Sequence, residues 1–124
     1  GEPTLQLTDA IVARFKEEGY LQAIETNGTR RVPAGIDYIT CSPKQYFEKV
    51  KELIPVVDEL RFPIQKGDSL PDISVLPKTE RYLLSPIFDN QEIIQENVDY
   101  CVTLVKENPP WALSLQVHKL IGIR

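Results

Sequence analysis

The clearest hydrophobic period in the chain runs through Tyr46, Phe47, Val50, Leu53 and Ile54. This i, i+1, i+4, i+7, i+8 stripe is that of an amphipathic helix, and Pro55 stops it. A related spacing sets Leu7, Ile11 and Phe15 on one face, widened by Val12, in a helix that Thr8 or Asp9 can cap and that Gly19 ends after about Glu18. A third helix is expected over residues 91–107, with Ile94, Val98, Cys101 and Val105 inward and Pro109-Pro110 behind it. Between the helices, short apolar runs at 20–27, 36–41, 59–62 and 81–84 predict strands, the third limited by Pro63. The last run, 111–120, alternates. Trp111, Leu113, Leu115 and Val117 point one way, while Ser114, Gln116 and His118 point the other. It is expected to be the final strand, with its polar set on the concave side of the sheet.

Helices and strands alternate with short connections, which predicts an α/β fold with a mostly parallel sheet and helices on one face. The strands are too few to close a barrel, so the chain reads as a partial TIM-like (β/α) barrel or an open wound sheet. One domain, 1–124, is expected, with no linker long enough to divide it. Residues 65–79, which hold Gly67, Pro71 and Pro77, show no period and read as a surface loop with a short helical turn, or as a lid.

Composition narrows the function classes. The 124 residues can bury roughly two-thirds of their unfolded surface, and 42% hydrophobic with 26% charged residues is ordinary for a globular protein. A net charge of −4 argues against nonspecific nucleic-acid binding, which runs on basic surface. No basic-then-apolar leader and no apolar run of membrane-spanning length is present, so a cytoplasmic protein without a membrane partner is expected. Cys41 and Cys101 fall far apart in apolar runs and read as buried free thiols in preference to a disulfide or a metal pair. There is one histidine and no methionine, and the chain reads as a fragment of a longer protein.

The candidate chemistry sits where strands end. The run Ala23-Ile24-Glu25-Thr26-Asn27-Gly28-Thr29 passes from apolar strand to polar burst, with a glycine free to turn. Parallel α/β sheets place ligands beyond the carboxyl ends of their strands, although Asn-Gly also serves plain turns. Ser42-Pro43-Lys44 and Ser85-Pro86 repeat the pattern, each putting a hydroxyl at a strand end. Ser-Pro is also a common helix entry, with Ser as N-cap and Pro at N1. With Glu2 and Glu25 these residues make a polar rim suited to binding small polar groups. No histidine stands beside a serine there and no glycine-rich phosphate loop occurs, so a hydrolytic centre is not indicated. His118 shares its expected face with Ser114 and Gln116, where an imidazole can hydrogen-bond a heterocycle or serve only the structure. The carboxylate of Arg124 is expected nearby.

The opening Gly1-Glu2-Pro3-Thr4 resembles the tail of the Gly-Gly-Glu-Pro motif of radical S-adenosylmethionine (SAM) enzymes. The runs 23–29, 32–37, 42–44 and 111–123 together resemble 7-carboxy-7-deazaguanine synthases, in that family's order and spacing. The resemblance implies a ring contraction of 6-carboxy-tetrahydropterin to 7-carboxy-7-deazaguanine, on the route to the tRNA base queuosine. It further implies a [4Fe–4S] cluster that cleaves SAM reductively, a deoxyadenosyl radical that takes a substrate hydrogen, assistance by Mg2+, and a homodimer. By motif, Gly1 and Glu2 would contact the amino acid end of SAM, and Ser42, Pro43 and Lys44 its ribose and carboxylate. Ser85, Pro86, Ile87 and Phe88 would lie by the adenosine; Ser85 stands where the family usually shows Gln. His118 and Arg124 would face the pterin. The three-cysteine cluster motif and the magnesium ligand are absent, so this chain alone is expected to be inactive. Two other readings stand beside this one: a fragment of a glycyl-radical-enzyme activase, and a non-enzymatic α/β interaction domain.

Overall fold

The computed structural model describes residues 1–123; Arg124, expected at the site, lies outside the described residues. The sheet has five strands, all parallel, in the order β1-β2-β3-β4-β5. These are β1 Ala23–Thr26, β2 Tyr38–Cys41, β3 Glu59–Ile64, β4 Tyr82–Pro86 and β5 Ala112–Leu113. Each strand pairs with its neighbours in sequence, without the reversal that marks a doubly wound sheet. That order fits a segment of a (β/α) barrel. No helix among the described residues is long and apolar enough to cross a membrane.

Contacts gather the chain into two compact units, one of Gly1–Leu60 with Pro71–Glu80, the other of Arg61–Leu70 with the chain from Arg81 onward. In the first, helix α1 spans Asp9–Glu17, capped by the Thr8 hydroxyl, which accepts the Ile11 N–H at 3.3 Å. Gly19 follows it at φ +83°, the left-handed stop that the sequence predicts. The buried face is narrower than expected: Val12 is fully covered, whereas Ile11 and Phe15 are 40% and 46% exposed. Helix α2, Phe47–Leu53, buries Val50 and caps onto buried Ile54, but Tyr46 precedes it at φ 54° and is exposed. Strand β1 registers with β2 from Ala23↔Tyr38 to Thr26↔Cys41, and β2 meets β3 only at Thr40↔Glu59 and Cys41↔Leu60. Pro63 therefore lies beyond the pairing with β2, and its missing N–H breaks no rung there. Strand β3 continues two residues past the expected limit.

The second unit packs helix α3, Gln95–Glu107, on β4 and β5. It starts four residues later than expected, because Asn90 and Gln91 take positive φ and Asp89 bridges Glu92. Trp111 is buried edge-to-face against Phe62 (5.7 Å) and Tyr82 (5.4 Å).

The strand expected over 111–120 is not there. Only Ala112–Leu113 pair with β4; Val117–Leu120 instead form a short helix, α4. The register explains the break. The Ser114 N–H donates to Leu84 O at 2.8 Å, and the next rung would run from residue 86 to the Ser114 carbonyl. Residue 86 is a proline and has no N–H to give. The polar–apolar alternation of this stretch imitates a strand whose hydrogen bonds the neighbouring strand cannot supply.

Candidate functional site

In the first unit the polar rim is organised by Glu2. Its Oε1 accepts from Thr4 N (3.2 Å), Thr4 Oγ1 (2.6 Å) and Thr26 Oγ1 (2.7 Å), while Oε2 accepts from Asn27 N at 2.7 Å. One carboxylate thus caps the 3-10 turn Pro3–Leu5 and fastens it to the carboxyl end of β1. Burial alone would raise the Glu2 pKa, but the hydrogen bonds from Asn27, Thr4 and Thr26 outweigh it and hold the group below 4.5. Four donors leave this carboxylate little capacity for a ligand; what it presents is the shape of the loop it holds.

That loop is tightly determined. The Thr26 hydroxyl, donating to Glu2, accepts the Gly28 N–H at 3.2 Å, and Asn27 Oδ1 accepts both the N–H (3.0 Å) and the hydroxyl (2.7 Å) of Thr29. Gly28 sits at φ +78°, and a Cβ there would come within 2.5 Å of Val50 Cγ1. Asn27-Gly28 is therefore a turn and a close approach to α2 at once. Glu25 is exposed on the same strand, opposite in phase to buried Ile24 and Thr26.

The Ser42 N–H donates to Thr26 O at 2.8 Å, so the Ser-Pro-Lys segment continues directly from the β1–β2 ladder. Pro43 is fully buried, Lys44 is exposed, and its Nζ lies 3.5 Å from Ser42 Oγ. Ser42 caps no helix, since α2 begins at Phe47. Gly1 is exposed with open space around it. The first unit accordingly brings Glu2, Thr26, Asn27, Ser42 and Lys44 to the carboxyl ends of β1 and β2.

In the second unit Ser85 and Pro86 are buried in the last positions of β4, and they too enter no helix, α3 starting at Gln95. Ile87 donates its N–H to Ile64 O at 2.9 Å, and its carbonyl accepts Asn97 Nδ2 at 2.9 Å. The Phe88 ring lies 5.4 Å from Lys119 Nζ. His118 is exposed on α4, not on a strand face, so the expected row of Ser114, Gln116 and His118 does not form.

Neither cysteine serves as a ligand as placed. Burial pushes the Cys41 thiol up to about 12, with the Glu2 charge adding to it, and burial raises Cys101 to about 11. Both are free and buried, as the sequence implies. Among the described residues no group of three His, Cys, Asp or Glu could hold a metal ion, so the donors of an iron–sulfur cluster or a magnesium site do not fit these residues. In the first unit Ser42 and Lys44 offer a hydroxyl and an ammonium group at a strand end, chemistry able to hold small polar groups. In the second unit both backbone groups of Ile87 are held by hydrogen bonds. Two surface cavities, one of about 520 Å³ beside Thr8 and Arg31 and one of about 360 Å³ beside Lys66 and Tyr100, include none of the expected site residues.

The run 23–29 includes Thr26, whose alternation with Glu25 marks it as inward. One further polar residue that shapes these loops escapes a reading of the sequence. Asn97 falls three residues after Ile94 on the apolar side of α3, and a lone amide on such a face is the signal that could have found it.

No family model matches the chain. It is, however, similar along its whole length to curated proteins named 7-carboxy-7-deazaguanine synthase. Identity is 42% with that of Bacteroides thetaiotaomicron, over 100% of this chain and 62% of the relative. It is 38% with that of Haemophilus influenzae, over 99% and 62%, and 36% with that of Caulobacter vibrioides, over 99% and 56%. The chain thus spans about three-fifths of the length of the curated relatives it matches.

Proposed function

We propose, from the premise that this chain is related along its whole length to the 7-carboxy-7-deazaguanine synthases, that it is the C-terminal portion of an enzyme with that activity. The end-to-end similarity carries the reading. In it, the whole protein contracts the ring of 6-carboxy-tetrahydropterin to 7-carboxy-7-deazaguanine as a radical SAM lyase of queuosine synthesis. This portion supplies one wall of the cofactor site and part of the substrate site. SAM, when bound, supplies the deoxyadenosyl group that performs the hydrogen abstraction.

The roles follow from the chain's own groups. Glu2 fixes the turn around Asn27 and Gly28, so the backbone of Gly1 and the Asn27 loop meet ligands in one defined geometry. The ammonium of Lys44 pairs with a carboxylate, and the Ser42 hydroxyl beside it bonds a ribose hydroxyl. Residues 85–88 give the adenine a largely apolar surface with oriented backbone groups. His118, exposed on α4, contributes a hydrogen bond to the pterin ring. The cluster and magnesium ligands belong to the part of the family's length that this chain does not span, so the chain alone is inactive.

The test is turnover by the complete protein, reconstituted anaerobically with iron and sulfide and given SAM, Mg2+ and 6-carboxy-tetrahydropterin. Mass spectrometry is expected to find 7-carboxy-7-deazaguanine. Cleavage of SAM with the pterin left unchanged would reject the substrate assignment, and absence of SAM binding would reject the whole reading.

A further inference from the structure

We propose that Asn97 is a positioning residue for the adenosine-facing segment 85–88; the inference rests on the SAM-site reading above. Asn97 is 5% exposed on the inner face of α3, in a chain that otherwise buries apolar groups there. Its amide is used at both ends. Nδ2 donates to the Ile87 carbonyl at 2.9 Å, and Oδ1 accepts the Lys66 N–H at 2.9 Å. A backbone N–H can only donate and a carbonyl can only accept, so these partners fix which end of the amide is which.

Those partners lie just beyond the carboxyl ends of two adjacent strands, Lys66 after β3 and Ile87 after β4. The Ile87 N–H is itself committed to Ile64 O at 2.9 Å. Both backbone groups of Ile87 are therefore held, one by β3 and the other by Asn97, and the peptide planes that lead into Phe88 cannot rotate independently of α3. One turn along the same helix, the Tyr100 hydroxyl donates to Asp68 O at 2.6 Å. Tyr100 thus anchors the β3 loop as Asn97 does, but its hydrogen bond goes to Asp68 and not to Ile87. The two side chains separate the anchoring of one loop from the positioning of the other.

The experiment compares Asn97→Asp with Tyr100→Phe in the complete, cluster-loaded protein, reading SAM affinity by isothermal titration calorimetry without reductant, and thermal stability in parallel. Asp keeps the acceptor for Lys66 but turns a second acceptor toward the Ile87 carbonyl. N97D is expected to weaken SAM binding about tenfold, while Y100F loses stability and keeps wild-type affinity. Equal affinities for wild type and N97D overturn the proposal, as does an equal loss in N97D and Y100F, the mark of a merely structural role. Wild-type protein that binds no SAM removes the underlying reading, and the proposal falls with it. If N97D does not fold, Asn97→Gln, which keeps both groups one methylene further out, carries the same comparison.

Discussion

Glu2 Oε2 accepts the backbone N–H of Asn27 at 2.7 Å, joining residues 25 apart in the chain. A threonine hydroxyl can turn to donate or accept, but this N–H can only donate. Glu2→Gln is therefore expected to leave one part-buried donor badly served and to destabilise the protein by about 1 kcal/mol, measured by urea denaturation at neutral pH. The sign of the pH effect follows from the lowered pKa. Glu2 contributes stability above its ordinary value of 4.5 and loses that contribution as pH falls through the folded-state value. Denaturation midpoints of the wild type should drop along that acid limb, and those of E2Q should drop less. Parallel curves for the two proteins would show that the carboxylate holds nothing.

Gly28 answers to two constraints at once. Gly28→Ala meets a left-handed φ of +78° that costs a non-glycine residue about 1–3 kcal/mol. It also meets Val50 Cγ1 at 2.5 Å. In a double-mutant cycle with Val50→Ala, the steric part is relieved and the backbone part remains. The two substitutions are expected to couple by about 0.5–3 kcal/mol in the favourable direction. Strict additivity would mean that the contact between the turn and α2 is unimportant.

The thiols give a chemical test of burial. With pKa values pushed to about 12 and about 11, Cys41 and Cys101 hold negligible thiolate near neutrality. Neither should react with a disulfide reagent in the folded protein, and both should react once guanidinium unfolds it. Rapid labelling of either under native conditions would contradict its placement.

Much of the scaffold is legible in the residues because it is written in local terms. The Thr8 cap, the Gly19 stop and the stripe through Phe47, Val50 and Ile54 each depend on a few neighbours in sequence, and each appears in the structure close to where the pattern puts it. The failures occur where the deciding partner is far away. Ile11 and Phe15 satisfy the helical period of α1, yet only Val12 is fully covered, since periodicity says nothing about how wide the opposing surface is. The candidate site divides in the same way. The polar endings after β1, β2 and β4 lie in the sequence itself, whereas the saturation of Glu2 by four donors depends on Thr26 and Asn27 folding back onto it. The alternation that suggests a strand through His118 is one that Pro86, thirty-two positions upstream of it, does not permit.

Pro86→Ala tests that last point directly. The substitution gives residue 86 an N–H whose partner in the existing register is the Ser114 carbonyl. Native-state hydrogen exchange is expected to find this new amide protected. Exchange at the rate of an unstructured peptide would show that something other than the proline ends the ladder.

The stop imposed by Pro86 divides the labour of the chain. Up to Ser114 a changed residue must answer to the strand beside it; from Leu115 to Ile123 none belongs to a strand. A change in the stretch that carries His118 therefore breaks no rung of the sheet.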